Sequence, residues 1–471
     1  MSIRTVPTRV SVAESIRDEV AQLRLAAAAE ARPKVLAGGA PIRVMARMVT
    51  DLAATCRERG IPEEIIAEMV INRSIGDVDT RKISATLDGA RFVPLADEMG
   101  LALPGEDFDG GYVATGKRYR WLRNQMLRYE RMLLKDRWDL RMYDLAGVGN
   151  PLLREMLAAH AQRLWGFTVP REQIHVSLGS LDGLNKFWQG LRALNDMKEY
   201  GVIFPAPGFN VPEWQVQTMG LRMERIVTRA EDHFKVTPDQ LRAALEPEDV
   251  RIFYFIASSN PTAFAYSPDE LRALFDVVLA SRDDVLIVAD LAYVGTGEVA
   301  EDRARMAVFS APEVLKRSVL VNSFSKTHTL TGDRFGWVVF GDADLAQQLS
   351  VAWMNSCASL PADWQLRYMA VAQLFHDHPE IEDDIRALYR LRREKLVRQL
   401  HAINREHHLF AKINTDDGGT VYNWSQLRQG EDVFSLFAKT GIAGVPGSAF
   451  GYSDDYIRLS VGINPVPDVE E

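Results

Sequence analysis

The chain has 471 residues, 47% of them hydrophobic and 25% charged, with a formal net charge of −9. That length exceeds one compact core and predicts two or three folded units of ordinary globular composition. The acidic balance excludes a general basic field that would recruit nucleic acid or an acidic membrane. Cys56 and Cys357, the two cysteines, have neither metal nor redox spacing and point to a reducing compartment. The first residues lack the apolar core of a signal peptide and no apolar run approaches bilayer length, so a cytoplasmic protein is expected.

In chain order, residues from about Val12 to Ala67 carry apolar positions at three and four spacing, predicting helices broken by Pro33, Gly38-Gly39 and Gly60. A Gly/Asp-rich stretch from Gly105 to Gly111 reads as a junction before a helix over Arg118–Leu134. Short apolar runs then alternate with amphipathic segments: 173–178, 202–204, 252–257, 285–289, 318–321 and 335–340. That rhythm predicts an α/β domain with a mostly parallel sheet, whose strand C-termini carry the functional loops. After Pro361 a helical pattern runs to about Ile403 with a break near His378-Pro379, then gives way to short β-like runs ending at 456–460. The expected organisation is a helical N-terminal extension (1–110), a three-layer large domain (111–355) and a smaller α+β domain (356–471), with a ligand cleft at the joint.

Candidate functional residues fall at the strand ends. The run Val319–Trp337 delivers Ser323, Ser325 and Lys326 to a polar turn, with Arg334 following. A lysine amine at a partly desolvated strand end can add to a carbonyl as a Schiff base. Ser323 and Arg334 offer a hydroxyl and a fork of donors to a phosphate. Together these groups fit pyridoxal 5'-phosphate, an aldehyde that carries a phosphate. Gly179-Ser180-Leu181 leads from an apolar run into a helix, whose free N–H groups and dipole suit the same phosphate. Asp290 ends a buried-strand pattern, where a carboxylate needs a partner. Arg458 sits within an apolar strand and needs one as well.

Ser-Phe-Ser-Lys followed by Thr-Gly-Asp-Arg-Phe-Gly-Trp resembles the lysine motif of the class I/II aminotransferases, the fold-type-I pyridoxal phosphate enzymes. Further matches follow in the family's chain order: Ser258-Ser-Asn-Pro-Thr-Ala263 for its Asn-Pro-Thr-Gly turn, Asp290-Leu-Ala-Tyr293 for its Asp-x-x-Tyr, and Val445–Ser460 for its small-domain signature. The resemblance implies transfer of an amino group between an amino acid and a 2-oxo acid through a Schiff base at Lys326, which then acts as the proton-transfer base. It implies that Asp290 keeps the pyridine nitrogen protonated. Asn260 and Tyr293 would bond the phenolic oxygen, Asn260 also lying at the substrate, and Phe209 would stack on the ring. Gly179, Ser180, Leu181, Ser323, Ser325 and Arg334 would hold the cofactor's phosphate side, and Arg458 would grip the substrate α-carboxylate, with water or an anion as its partner in the empty enzyme. Tyr143 resembles the tyrosine that reaches a neighbouring subunit's phosphate, which implies a homodimer. Ala263 departs from the family glycine, and a positive φ there would be strained.

A decarboxylase or other lyase of the same fold, similar to aspartate 4-decarboxylase, stays open, because extra N-terminal helices occur there too. An aminotransferase-like transcriptional regulator is a further alternative, but it calls for a basic head, whereas the first hundred residues hold as many acids as bases, 14 of each. A Ser-x-x-Lys acylase lacks the Ser-Asp-Asn it needs. His376, His378, His401, His407 and His408 have no metal spacing and read as surface residues, so no metal is expected. His328 faces either the cofactor pocket or solvent. The motifs do not name the amino acid, and neither the Lys117–Trp121 cluster nor the N-terminal extension is given a role by them.

Overall fold

The computed structural model describes residues 9–37, 40–75, 125–135, 137–145, 147–194, 200–416, 418–462 and 466. The Gly105–Gly111 junction and the Lys117–Trp121 cluster lie outside them, as do 118–124 of the expected helix, whose remainder, 125–134, is helical. The described residues pack as two compact units, one within 1–76, 392–416 and 421–471, the other within 77–391 and 417–420. The expected boundaries at 110 and 355 follow sequence order, whereas these units interleave. The reason is that strand β1 (Ile71–Asn72) pairs in parallel with a strand more than 350 residues later, Ile71 against Ile442.

Seven strands form the sheet of the larger unit: β2 (Ile174–Leu178), β3 (Gly201–Ala206), β4 (Arg222–Val227), β5 (Val250–Ile256), β6 (Leu286–Asp290), β7 (Ser318–Ser323) and β8 (Phe335–Phe340). Their spatial order is β2-β8-β7-β6-β5-β3-β4. β8 runs antiparallel to both neighbours and the other pairings are parallel. Every residue of β7 and β8 is buried, as is nearly every residue of β5 and β6. Successive side chains point to opposite faces, so unbroken burial requires helices on both sides, the three-layer α/β arrangement. The exception is β4, which has no apolar run to announce it. Its Arg-Met-Glu-Arg-Ile-Val sequence suits an exposed edge strand, whose charges oppose pairing with another chain.

In the smaller unit a four-stranded antiparallel sheet has the order β12-β13-β10-β9, comprising β9 (Phe410–Lys412), β10 (Tyr422–Leu427), β12 (Val445–Pro446) and β13 (Tyr456–Ser460). β11 (Ile442–Ala443) is the partner of β1. Helices Arg9–Leu36 and Pro41–Glu58 belong to this unit. Arg32 pairs with Asp432 at 3.0 Å and lies over the Phe434 ring, and the Arg24 guanidinium reaches the Met69 carbonyl. The first helix continues through Pro33, an expected break, and ends three residues after it. Among the described residues no helix is long and apolar enough to cross a membrane.

Candidate active site

Topology gathers the candidates in the larger unit. The parallel strands β2, β3, β5, β6 and β7 all end at one edge of the sheet, and the antiparallel β8 begins there. Gly179 follows β2, Phe209 follows β3, Asn260 follows β5, Asp290 ends β6, Ser323 ends β7, and Arg334 precedes β8. Residues spread over about 150 positions of sequence thereby share one rim. It is the edge at which open α/β sheets bind ligands.

Lys326 stands on a single helical turn, Phe324–Thr327, and is 8% exposed. Ser323 caps that turn, its hydroxyl accepting from the Ser325 N–H at 3.4 Å. Thr331 Oγ1 donates to the Ser325 carbonyl, and Arg334 closes the loop in a left-handed conformation at φ +60°. That backbone aims the guanidinium at the start of helix Ser180–Leu194, with Nη1 donating to the Thr331 carbonyl at 3.0 Å. Gly179, at φ +81°, lies directly against it, and a Cβ there would overlap the guanidinium. The result is a cradle of backbone N–H groups and a fixed positive charge, suited to a phosphate.

Asp290 is buried and accepts from the Ala292 N–H at 3.0 Å and the Tyr254 hydroxyl at 3.2 Å. Burial pushes its carboxyl up from 3.8 to about 6, against the pull of those donors and of the nearby Lys326 ammonium. Such a carboxylate holds a proton or a cationic partner strongly. Tyr293, three residues on, is 5% exposed, and Asn260 is 3% exposed in the turn after β5. Ala263 takes the positive φ expected to be strained, +65°, and the backbone of Gly418 comes so close to its carbonyl that a side chain at 418 would have no room. Phe209 is half-buried at its strand end. Tyr143 is 63% exposed on a loop beside Gly147 and Gly149.

Arg458 lies on β13 of the smaller unit and is 3% exposed. Water or an anion was the expected partner of the empty enzyme. Arg458 Nη2 also donates to the Ser74 carbonyl at 2.9 Å, and the guanidinium lies 4.5 Å from the Tyr422 ring centroid and 4.9 Å from that of Phe450. Ser74 follows β1, and only tertiary pairing brings that segment to Arg458. Tyr254 is likewise missing from the sequence reading, since a tyrosine inside a buried apolar strand looks like core. His328, left between pocket and solvent, is completely buried.

The donor set fits pyridoxal phosphate: a buried lysine, a buried carboxylate in its field, and an anion cradle share one sheet edge. Residues 145–466 match the family model described as aminotransferase class I and II. The chain is 26% identical over 335 residues to the asparagine–oxo-acid transaminase of Streptococcus mutans, covering 68% of this chain and 81% of that one. It is 28% identical over 323 residues to the aspartate aminotransferase of Geobacillus stearothermophilus, covering 66% and 77%. Among solved structures, the fold is similar to the aspartate aminotransferase of Rhizobium meliloti, with TM-score 0.64 and 18% identity over 88% of this chain and 90% of that one. An aminotransferase from Mycobacterium tuberculosis also has TM-score 0.64, at 21% identity over 91% and 94%. The chain therefore belongs to the class I and II aminotransferases, pyridoxal phosphate-dependent enzymes that exchange amino groups between amino acids and oxo acids.

Proposed function

We propose that this aminotransferase works on aspartate or asparagine as amino donor, through Lys326 as the reactive amine, Asp290 as the ring-nitrogen partner and Arg458 as the carboxylate clamp. The observation that carries the assignment of roles is the buried Asp290 carboxylate in the field of the buried Lys326. The substrate choice rests on relatives named for aspartate and asparagine.

The cofactor supplies an aldehyde to the lysine and an electron-accepting ring to the substrate carbon. Lys326 would hold the cofactor through its Nζ and would serve as the base for the substrate's α-proton. Asp290 stabilises positive charge at the ring nitrogen, where its burial strengthens the pairing. Asn260 and Tyr293 would donate to the phenolic oxygen, and Phe209 would cover a ring face. Gly179, Ser180, Leu181, Ser323, Ser325 and Arg334 hold the phosphate. Arg458 trades the Ser74 carbonyl for the substrate carboxylate, a charge-assisted and bidentate contact.

A homodimer belongs to this reading. Met142, Tyr143, Leu145, Val351 and Met354 are 44–82% exposed, and Gly147 abuts Met354 of the helix that ends at Cys357. Contiguous apolar exposure of this kind suits a subunit interface, with Tyr143 reaching the partner's phosphate. A cytoplasmic location fits the substrates and the free cysteine thiols.

The test is a half-reaction screen in which yellow protein is mixed with each amino acid and conversion to the amine form of the cofactor is followed. Aspartate or asparagine should convert it fastest. Carbon dioxide release without any need for an oxo acid would move the enzyme to the lyase alternative.

A further inference from the structure

Lys326 stands on a turn too short to hold its own geometry. Two contacts from helix Glu380–His407 grip that turn from behind. Tyr389 donates its hydroxyl to the Lys326 carbonyl oxygen at 2.9 Å, and both groups are buried. His328 Nε2 lies 2.8 Å from Glu382 Oε1, with both side chains out of contact with solvent. Glu382 and Tyr389 are two turns apart and share one face of the helix.

The contact at Glu382 is itself braced. Arg163 donates to its two oxygens at 2.6 Å each, and Arg163 Nη2 lies 3.3 Å from His160 Nδ1. His328 Nδ1 is 2.6 Å from Thr327 Oγ1, the residue next to the lysine. The His328 ring packs on Phe324 at 4.0 Å and edge-on to Phe375 at 4.2 Å. Burial lowers the His328 imidazole, against the opposing pull of the Glu382 carboxylate. The imidazole Nε2 stays within ion-pair distance of the carboxylate, and its Nδ1 lies against the Thr327 hydroxyl. Burial alone would raise Glu382, but the Arg163 guanidinium and His328 outweigh it and hold the carboxyl well below the usual range.

His160, His328 and Glu382 present ligand-type atoms within 4.8 Å of one another. The positive charge at this cluster is already supplied by Arg163, whose fork faces both carboxylate oxygens, which makes it a hydrogen-bonded brace rather than a cation site.

We infer that Tyr389, His328 and Glu382, backed by Arg163, are positioning residues that fix the Lys326 turn, so that the amine reaches both the aldehyde and the substrate proton. The inference rests on the reading of Lys326 as the reactive lysine. Groups in such chemistry must be held to within about 0.5 Å and 10–20°. A four-carbon side chain magnifies any tilt of the turn that carries it, and a misplacement of about 1 Å costs up to ~100-fold.

The experiment compares wild type with Tyr389→Phe, His328→Phe, His328→Gln and Lys326→Ala. Four quantities are read: the rate at which cofactor-free protein captures added pyridoxal phosphate, the half-reaction rate at saturating amino acid, the half-saturating concentration, and the melting temperature of the cofactor-free protein. Tyr389→Phe and His328→Phe should slow capture and the saturated rate by about 10- to 100-fold while half-saturation stays within about twofold. His328→Gln, which retains a donor for Glu382, should recover most of the loss. Unchanged rates would overturn the inference, as would losses that track melting temperature with His328→Gln no better than His328→Phe. So would a divalent metal bound stoichiometrically by wild type and lost in His328→Phe. Capture of the aldehyde by Lys326→Ala at the wild-type rate would instead overturn the reading of Lys326 itself.

Discussion

Replacing Asp290 by Asn tests the site through stability, without any substrate. In the cofactor-free protein the carboxyl titrates near 6 instead of 3.8 because it is buried. Between those values the unfolded chain has released its proton while the folded chain keeps it. The folded state binds more protons there, so stability falls as pH rises and the penalty is complete above about pH 6. A rise from 3.8 to about 6 corresponds to about 3 kcal/mol. The amide put in place of the carboxyl cannot ionise, yet its oxygen can still accept from the Ala292 N–H. Asp290→Asn should therefore gain stability relative to wild type by about 2.5 kcal/mol on going from about pH 4 to pH 7. Urea unfolding of both cofactor-free proteins over about pH 4 to 8 measures this, since other titrating groups largely cancel in the difference. A stability difference that stays flat with pH would refute the buried, weakly compensated carboxylate. The same substitution should nearly abolish amino transfer in the loaded enzyme.

Gly179→Ala places a methyl against the Arg334 guanidinium at a positive φ and should weaken cofactor binding at least tenfold, read by titration of cofactor-free protein with pyridoxal phosphate. Ala263→Gly relieves a φ of +65° and should stabilise the protein by about 0.5–1 kcal/mol in urea unfolding, whereas destabilisation would deny the strain. Arg458→Lys keeps the charge but loses the planar fork, so the half-saturating amino acid concentration should rise about 100-fold with cofactor content unchanged.

Most of the candidate site was legible in sequence because its residues stand at strand ends. Buried strands such as Val319–Val321 and Phe335–Phe340 are apolar at nearly every position, and the polar residues that interrupt or follow such runs, Lys326, Asp290 and Arg334, stand out against that background. β4 escaped because an edge strand open to solvent carries Arg222, Glu224 and Arg225 in place of an apolar run. Tyr254 and Tyr389 escaped for the opposite reason: a tyrosine among apolar neighbours is indistinguishable from core until its hydroxyl has a partner.

What the one-dimensional pattern determined by itself was the α/β class, the order of the loops and the place of Lys326 just past a buried strand, since burial periodicity and strand-end polarity are local properties. Tertiary structure decided the rest. Only folding sets the Ser74 carbonyl on Arg458, 384 residues away, and brings Glu382 behind His328, because hydrogen bonds and ion pairs between distant segments depend on where strands pair and helices pack, which no local spacing encodes.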